Sequence, residues 1–327
     1  MKNANKVSRS FQYMILLCGC LLIYYSVSAR QHKPTESGYI AQETQDIDSD
    51  YVLIFNSYSE SAPWCRSLVD STVMDLIKLS PQTMTVTQNL NSGLLRDEKA
   101  LAQLRQQVDA SYHDKPRMII YIGSTSWPFL HETIEKKWGK VPSIIFSDID
   151  YTGPITNLLR KTPIAPALRI PYDKIVKEYE GALSVVYMPI YLRQSLALMH
   201  QLTPPMTELC FISDTRWISA QMRADMAAIT KTDFPELKVR YLVSADMSTL
   251  DLLDSLQHYG QETGVLFFSW LKQSQVGDSF VNDSHFRIII SKSARQPLFV
   301  LNDNEVNTDS DVLGGYFPTR AAVSHHV

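Results

Sequence analysis

Short polar side chains follow a series of apolar runs in this 327-residue chain, and their types suit the binding of a small polar ligand. The first three runs are followed by Asn56-Ser57-Tyr58-Ser59-Glu60, Gly123-Ser124-Thr125-Ser126-Trp127 and Ser147-Asp148-Ile149-Asp150. Three later runs are followed by Ser213-Asp214-Thr215, Ser269-Trp270 and Asn302-Asp303-Asn304. Hydroxyl and amide groups fix a ligand by hydrogen bonds, and the aromatic faces of Tyr58, Trp127 and Trp270 can stack on it. These positions are therefore predicted to line a ligand site.

Each of these residues also has a purely structural interpretation. Serine, threonine, aspartate and asparagine after a strand commonly cap the next helix, and Trp127 and Trp270 are equally suited to a hydrophobic core. Gly123 is expected to permit a tight strand-to-helix turn. Asp148 and Asp150 resemble the paired carboxylates of acid–base catalysis, but their position directly after a strand is more typical of a loop and a cap.

The sequence contains none of the common catalytic motifs. It has no GxSxG elbow, HExxH zinc motif, Walker phosphate loop or GxGxxG fingerprint, and its eight histidines show no metal-ligand spacing. No nucleophile, base and orienting group present themselves together. We therefore expect no enzymatic activity, no metal and no cofactor.

The apolar runs predict the strands that position these polar residues. Several runs are apolar on consecutive residues, as in strands that are covered on both faces. The predicted strands are Val52–Phe55, Met118–Ile122, Ser143–Phe146, Leu209–Ile212, Val239–Val243, Val265–Phe268, Ile288–Ile290 and Leu298–Leu301. Between them, apolar spacing predicts helices over Asp97–Tyr112, Tyr191–Leu202, Arg216–Thr230 and Leu250–Tyr259. Strands that alternate with helices indicate parallel sheets built from βαβ units.

A stretch that contains Pro163, Pro166 and Pro171 divides this alternation into two series, the second of which begins near Leu183. The predicted fold is α/β, with two Rossmann-like lobes that each carry a parallel sheet. We assign residues 51–170 to the first lobe and residues 171–327 to the second. Ligands bind beyond the carboxyl ends of parallel strands, so we expect the polar residues to face a cleft between the lobes.

Composition excludes two classes of protein. The chain has 31 basic and 34 acidic residues, a formal net charge of −3, which is not the basic excess of a nucleic-acid-binding protein. Four cysteines in a chain of this length do not make a disulfide framework. Cys18 and Cys20 lie in an apolar run, and Cys65 and Cys210 fall in different series. We therefore expect Cys65 and Cys210 to be free thiols.

The N-terminus predicts export. Lys2, Lys6 and Arg9 precede an uncharged apolar run over residues 11–27, which is typical of a signal peptide or an uncleaved membrane anchor. Residues 1–30 are assigned to this segment and residues 31–50 to a flexible tether. Cleavage after Ala29 and acylation of Cys20 in a lipobox-like sequence are the alternatives to an anchor. In each case the folded part is expected in the bacterial periplasm, released or held at the inner membrane by residues 11–27.

Longer motifs give the chain a resemblance to a known group of proteins. They are YVLIFNSYSESAPW at 51–64, MIIYIGSTSW at 118–127, VPSIIFSDID at 141–150, YMPIYLRQSLALMHQLTPPMTELCFISDTR at 187–216, VLFFSW at 265–270, QPLFVLND at 296–303 and LGGYF at 313–317. In their order and spacing the chain resembles the ABC-transporter substrate-binding-protein-like domains of the type I periplasmic-binding-protein superfamily. Such domains also form the extracytoplasmic sensor regions of bacterial hybrid two-component histidine kinases.

The resemblance implies a small-molecule ligand in a cleft that closes by hinge motion. The ligand-binding positions that it implies are Ser57, Tyr58, Ser124, Thr125, Asp148, Tyr187, Asp214, Ser269, Trp270 and Asp303, to which the strand-end pattern adds Trp127.

The resemblance also implies a role as the input part of a sensor kinase, and it is compatible with a homodimer. The chain has no kinase region and no second membrane span of its own, and a return to the first lobe after Gly314-Gly315 is expected to be missing. A solute-binding protein of an ABC importer is the alternative, and a periplasmic enzyme on the same scaffold is a third hypothesis.

Overall fold

The computed structural model describes residues 51–59, 62–203, 206–273, 280–281, 286–302, 306 and 311–317. These residues belong to one compact unit, residues 43–327. The predicted export segment and tether lie outside the described residues. Among the helices that are described, none is long and apolar enough to cross a membrane.

A five-stranded parallel sheet forms the first lobe. Its strands are β1 (Tyr51–Asn56), β2 (Met84–Asn89), β3 (Met118–Ile122), β4 (Ser143–Ser147) and β7 (Leu183–Tyr187). Between β4 and β7 the chain forms a short antiparallel ribbon of β5 (Tyr151–Thr152) and β6 (Ile170–Pro171). The order across the sheet is β2-β1-β3-β4-β7, and every neighbouring pair is parallel.

A second five-stranded parallel sheet forms the second lobe. Its strands are β8 (Glu208–Ser213), β9 (Lys238–Val243), β10 (Thr263–Phe267), β13 (Leu298–Val300) and β14 (Val312–Gly314). Between β10 and β13 the chain forms a second antiparallel ribbon of β11 (Lys272–Gln273) and β12 (Phe280–Val281). The order across the sheet is β14-β13-β10-β8-β9, again parallel throughout.

Helices connect the strands of both sheets. They are α1 (Pro63–Leu79), α2 (Glu98–Ser111), α3 (Ser126–Trp138), α4 (Ile155–Arg160), α5 (Tyr172–Glu178), α6 (Leu192–Leu202), α7 (Trp217–Asp233), α8 (Thr249–His258) and α9 (Phe286–Ser293), with 3₁₀ turns at Ser92–Leu94 and Pro166–Leu168. Because the sheets are parallel, each strand must be followed by such a crossover before its neighbour can begin.

Local sequence explains the best-defined elements. Every residue of β1 is buried, as the consecutive apolar residues Val52–Phe55 predict for a strand covered on both faces. Helix α2 begins after Asp97, whose side chain accepts a hydrogen bond from the amide of Ala100 at 2.8 Å. The helix buries Leu101, Leu104 and Val108, the face that the apolar spacing predicts.

Both sheets have the same strand order. When the strands are numbered in chain order within each lobe, they lie across the sheet as 2-1-3-4-5. In both lobes the second strand lies on one side of the first strand, and the later strands lie on the other side. This reversal leaves a crevice beyond β1 and β3 in the first lobe, and beyond β8 and β10 in the second. The predicted fold class, two Rossmann-like lobes with parallel sheets, is confirmed.

Two sequence-based assignments differ from the structure. Ile288–Ile290, predicted as a strand, lies in helix α9, because β10 and β13 are parallel neighbours and the chain between them must make a crossover. Residues Leu183–Tyr187, expected to open the second series, form β7 and pair with β4 in the first sheet. The change from one sheet to the other therefore comes after Tyr187 and not at the predicted boundary between residues 170 and 171.

Candidate functional site

The two lobes meet where a loop after β1 faces the loop after β8. The guanidinium carbon of Arg216 lies 5.1 Å from the centre of the Tyr58 ring, within the range of a cation–π contact. The Tyr58 hydroxyl donates a hydrogen bond to the carboxylate of Asp148, which follows β4. We call Tyr58, Cys65, Asp148, Asp214 and Arg216 the interlobe cluster.

Asp214 holds Arg216 in place. The two carboxylate oxygens of Asp214 accept hydrogen bonds from the Arg216 amide at 2.9 Å and from its Nε at 2.8 Å. The hydroxyl of Ser219, in the first turns of α7, donates a third hydrogen bond at 2.6 Å. Asp214 is fully buried, so this carboxylate is a structural anchor for the guanidinium that crosses to the first lobe.

The carboxylate of Asp148, in the first lobe, is also buried, and the groups that favour its charged form offset less of the cost of burial. Burial raises the pKa of Asp148 to about 7, against the smaller opposing effects of Arg216 and the Tyr58 hydrogen bond. The neighbouring thiol of Cys65 is also buried, and burial together with Asp148 raises its pKa well above the ordinary value. The cluster thus contains a carboxyl group that changes its charge near neutral pH, and a thiol that stays protonated there.

Gly123 makes room for Tyr58. Its φ of +89° lies in the region that favours glycine, and it forms the turn between β3 and α3. A Cβ atom at this position would lie 2.8 Å from Cε2 of Tyr58 and 2.9 Å from Oγ of Ser57. The predicted tight turn is confirmed, and its lack of a side chain lets the Tyr58 ring lie against it.

The predicted hydroxyl residues of the first lobe differ in their contacts. The fully buried Ser57 accepts a hydrogen bond from the Ser126 amide at the start of α3, at 2.9 Å, as a helix cap does. Thr125 shares a hydrogen bond of 2.7 Å with the hydroxyl of Ser92. The hydroxyl of Ser124, which is 2% exposed, has no hydrogen-bond partner among the described residues.

The two predicted tryptophans pack inside their own lobes. Trp127 stacks on the ring of His131 with 4.0 Å between ring centres and meets Tyr172 edge-on at 6.1 Å. Trp270 belongs to the core of the second lobe, and its Nε1 donates a hydrogen bond to Thr249 at 3.2 Å. Both rings are more than nine-tenths buried, so their contacts are those of core residues.

The remaining predicted site residues lie in three different surroundings. Ser269 is next to the interlobe cluster, since its hydroxyl lies 3.4 Å from that of Ser219. The Tyr187 hydroxyl donates a hydrogen bond to the exposed carboxylate of Asp173 at 2.9 Å. Asp303 lies outside the described residues. The structure therefore brings Tyr58, Asp148, Asp214 and Ser269 together, and their contact with a ligand stays a prediction.

Sequence reasoning missed the basic residues at this junction. Arg216 was assigned only to a helix, although the Ser-Asp-Thr-Arg order places a cation two residues after a strand-end carboxylate. Arg223, in helix α7, donates hydrogen bonds from Nη1 to the Ser213 hydroxyl and to the Asp214 carbonyl, both at 2.8 Å. The expectation that Cys65 and Cys210 are free thiols is confirmed.

A second contact between the lobes is made by residues 153–169, the segment between β5 and β6, which we call the strap. One face of α7 carries Trp217, Gln221 and Asp225 at helical spacing. Trp217 donates to the Thr162 carbonyl at 3.1 Å, and the Gln221 side chain accepts from the Ile164 amide at 2.8 Å. Asp225 pairs with Arg169, which ends the strap, at 2.9 Å. The strap thus ties the first lobe to α7 of the second.

Comparisons with known proteins gave likenesses of structure. No protein-family model matches the sequence, and no curated protein matches it significantly.

In the part of the chain that the structure describes, no group of three or more His, Cys, Asp or Glu side chains is placed to hold a metal ion.

Several solved structures are similar to the chain in fold. An ABC domain from Streptococcus pneumonia in complex with L-Trp aligns with 79% of this chain and 75% of its own, at 10% identity and a TM-score of 0.46. A leucine-binding protein from Thermotoga maritima aligns with 78% of this chain and 63% of its own, at 14% identity and a TM-score of 0.44. A periplasmic binding protein/LacI transcriptional regulator from Alkaliphilus metalliredigens, complexed with D-xylulofuranose, aligns with 85% of this chain and 88% of its own, at 9% identity and a TM-score of 0.44. These are likenesses of fold.

Proposed function

We propose that the chain is an extracytoplasmic domain that binds a small ligand between its two lobes and acts as the input part of a sensor kinase. One observation carries the binding role. The crevices beyond the first strands of the two parallel sheets face each other, and Tyr58 of one lobe meets Arg216 of the other there. Crevices of this kind are where open α/β sheets bind their ligands.

The groups at the junction suit a small polar ligand. The guanidinium of Arg216 donates hydrogen bonds, and the carboxyl of Asp148 accepts them or, when protonated, donates one. The hydroxyls of Ser219 and Ser269 do both. Since the aromatic ring of Tyr58 lies beside them, sugars, nucleosides and aromatic acids are the ligand classes to try first.

We propose a binding role and not a catalytic one. The Cys65 thiol is close enough to Asp148 to be affected by its charge, and burial raises its pKa well above the ordinary value. A thiol in this state forms little thiolate, which is the reactive species. Asp148 therefore has no activated partner in the interlobe cluster.

A ligand screen by thermal unfolding tests the binding role. A compound present at ~100 times its dissociation constant should stabilise the protein by roughly 2.7 kcal/mol. Tyr58→Phe removes the hydroxyl that bonds Asp148 and should reduce this effect. Tyr51→Phe is the matched control, because Tyr51 lies at the other end of β1 and donates to the Asp114 carbonyl. The proposal is wrong if no compound of the three classes stabilises the protein, or if Tyr58→Phe responds like the wild type.

The sensor role is tested at the N-terminus. It requires that residues 11–27 remain on the mature chain as an anchor, so N-terminal sequencing of membrane-bound material should recover them. A mature chain that begins at an acylated Cys20 would contradict the anchored sensor and support substrate delivery to an importer.

A further inference from the structure

Large apolar side chains are exposed around the end of helix α1 in the first lobe. Met74 and Ile77 lie three residues apart on α1, Leu79 is its last residue, and Met84 begins β2. Their exposed fractions lie between 44% and 72%. Residues 80–83 form a tight turn closed by a backbone hydrogen bond of 3.0 Å, so Leu79 and Met84 stand on its two sides. We call Met74, Ile77, Leu79 and Met84 the apolar patch.

This concentration of exposed apolar side chains stands out in the described part of the chain. The other large apolar residues that are exposed there occur singly or in pairs along the sequence; they are Leu168, Ile170, Leu202, Leu250, Val306, Leu313 and Tyr316. Lys78 and Asp75, which lie between members of the patch in sequence, form an ion pair of 2.9 Å. Apolar side chains that are grouped on a surface mark a place of contact with a protein or a membrane.

The patch lies at the end of the first sheet where the chain enters the fold. Met84 is the register partner of Tyr51, the first residue of β1, and neighbouring strands lie ~4.8 Å apart. All five strands of the sheet are parallel, so their amino ends share this end of the sheet. The loops that carry Tyr58 and Asp148 follow the carboxyl ends of β1 and β4. The apolar patch and the candidate ligand site are therefore at opposite ends of the sheet.

We propose that the apolar patch rests on the lipid surface of the membrane that holds residues 11–27. The inference rests on the anchor in the proposed function. Residues 28–50 separate the apolar run from Tyr51. A flexible chain of this length averages about 25–30 Å from end to end, whereas a compact unit of the size of residues 43–327 has a radius of gyration of about 19 Å. The amino ends of the strands are therefore the part of the fold that the anchor keeps nearest to the bilayer.

Two features favour lipid over a second copy of the chain as the occupant. A stable dimer interface takes about 20–30 residues from each partner, and the patch offers four large apolar side chains. On a membrane a few side chains suffice, because they add to the binding that an anchor already supplies. Lys78, whose side chain is 68% exposed, also suits a surface of anionic headgroups. With the patch on the lipid, the candidate ligand site faces away from the membrane.

Photo-crosslinking in vesicles of phosphatidylethanolamine and phosphatidylglycerol tests the contact. The full chain carries the photoreactive residue p-benzoylphenylalanine in place of Gln82, which is exposed in the turn beside the patch. In the control it replaces Gln257, an exposed residue of α8 in the second lobe. Irradiation should give lipid adducts at position 82 and not at position 257. Cross-links between two copies at position 82, or equal lipid adducts at both positions, would overturn the proposal.

A pair of variants tests whether the apolar side chains make the contact. With the probe at position 82, Leu79→Ser/Met84→Ser should lose most of the lipid adduct, because the side chains that enter the lipid are gone. Leu250→Ser, which replaces a leucine of the second lobe that is 76% exposed, should retain it. All three residues are exposed, so the variants should fold as the wild type does, and far-UV circular dichroism checks this. The same yield of adduct in both variants shows that the patch does not bind lipid.

N-terminal sequencing of the same vesicle material separates this inference from the proposed function. If residues 11–27 remain on the chain and position 82 gives no lipid adduct, the anchored sensor stands and the contact of the patch with lipid is refuted. A mature chain that lacks residues 11–27 and gives no lipid adduct contradicts both.

Discussion

Two aspartates that follow strands in the same way differ in what their carboxylates contact. Asp214 accepts three hydrogen bonds from its own lobe, two from Arg216 and one from Ser219. Asp148 faces the same guanidinium from the other lobe, and burial is the largest effect on its pKa. Asp214 therefore fixes the position of Arg216, while burial governs the ionisation of Asp148. Residue type and strand-end position are the same, so only the contacts distinguish the two roles.

Ser57 and Ser124 offer a test of capping against ligand contact. Both serines are buried, but the Ser57 hydroxyl accepts the Ser126 amide, whereas the Ser124 hydroxyl has no partner among the described residues. Ser57→Ala should lower the free energy of unfolding by about 1–3 kcal/mol, because it leaves a buried amide unpaired. Ser124→Ala removes a buried hydroxyl without a partner among the described residues, so it should leave the free energy of unfolding unchanged or raise it. Urea unfolding measures both values, and equal losses would contradict the assignment of Ser57 as a cap.

At the scale of elements, the turn between β3 and α3 decides where Tyr58 lies. Gly123→Ala would place a Cβ 2.8 Å from the Tyr58 ring in a backbone region unfavourable to alanine. The variant should therefore be less stable than the wild type by more than about 1 kcal/mol. Part of this loss should disappear in Gly123→Ala/Tyr58→Ala, because the ring that the Cβ meets is gone.

Gly139, at the other end of α3, is the control for this turn. It also has a positive φ, of +70°, but a Cβ there would meet nothing within 4 Å. A double-mutant cycle by urea unfolding should give a coupling energy above about 0.5 kcal/mol for positions 123 and 58. For positions 139 and 58 the effects should add. Additive effects at both pairs would show that Gly123 is needed for its backbone alone.

Strands covered on both faces could be predicted from the sequence, whereas a half-buried strand without an apolar run was missed. Met118–Ile122 was predicted with its observed bounds because its apolar residues are consecutive. The edge strand Met84–Asn89 was missed, since MTVTQN is half-buried and has no such run. Ile288–Ile290 looked like a strand because β-branched residues favour strands, but the crossover between β10 and β13 made it helical.

The candidate site was predictable in position but not in detail. Parallel strands end at one edge, so the loops after β1, β4 and β8 could be nominated without a structure. Which of their side chains face the other lobe depends on how the lobes pack. Trp127 and Trp270 turned into their own cores, while Arg216 turned towards Tyr58. No local pattern in the sequence carries that information.

At the scale of the whole molecule, the two polar contacts between the lobes described above differ in their chemistry. The interlobe cluster contains charged groups and a carboxyl that titrates near neutral pH. The strap contact uses hydrogen bonds of neutral groups at Trp217 and Gln221, with one ion pair at Asp225. The two contacts can therefore be tested separately, by substitutions in the cluster and in the strap.

Gln221→Ala tests whether the strap holds the lobes. Gln221 is fully buried, and its loss would leave the Ile164 amide without the acceptor that now lies 2.8 Å away. The free energy of unfolding should fall by about 1–3 kcal/mol, and hydrogen exchange of the Ile164 amide should become faster. Exchange in β3 should stay as in the wild type, because local opening of the strap leaves the sheet intact. Gln106→Ala, on the exposed face of α2, should change neither quantity. Unaltered protection of Ile164 in Gln221→Ala would show that other contacts hold the strap against α7.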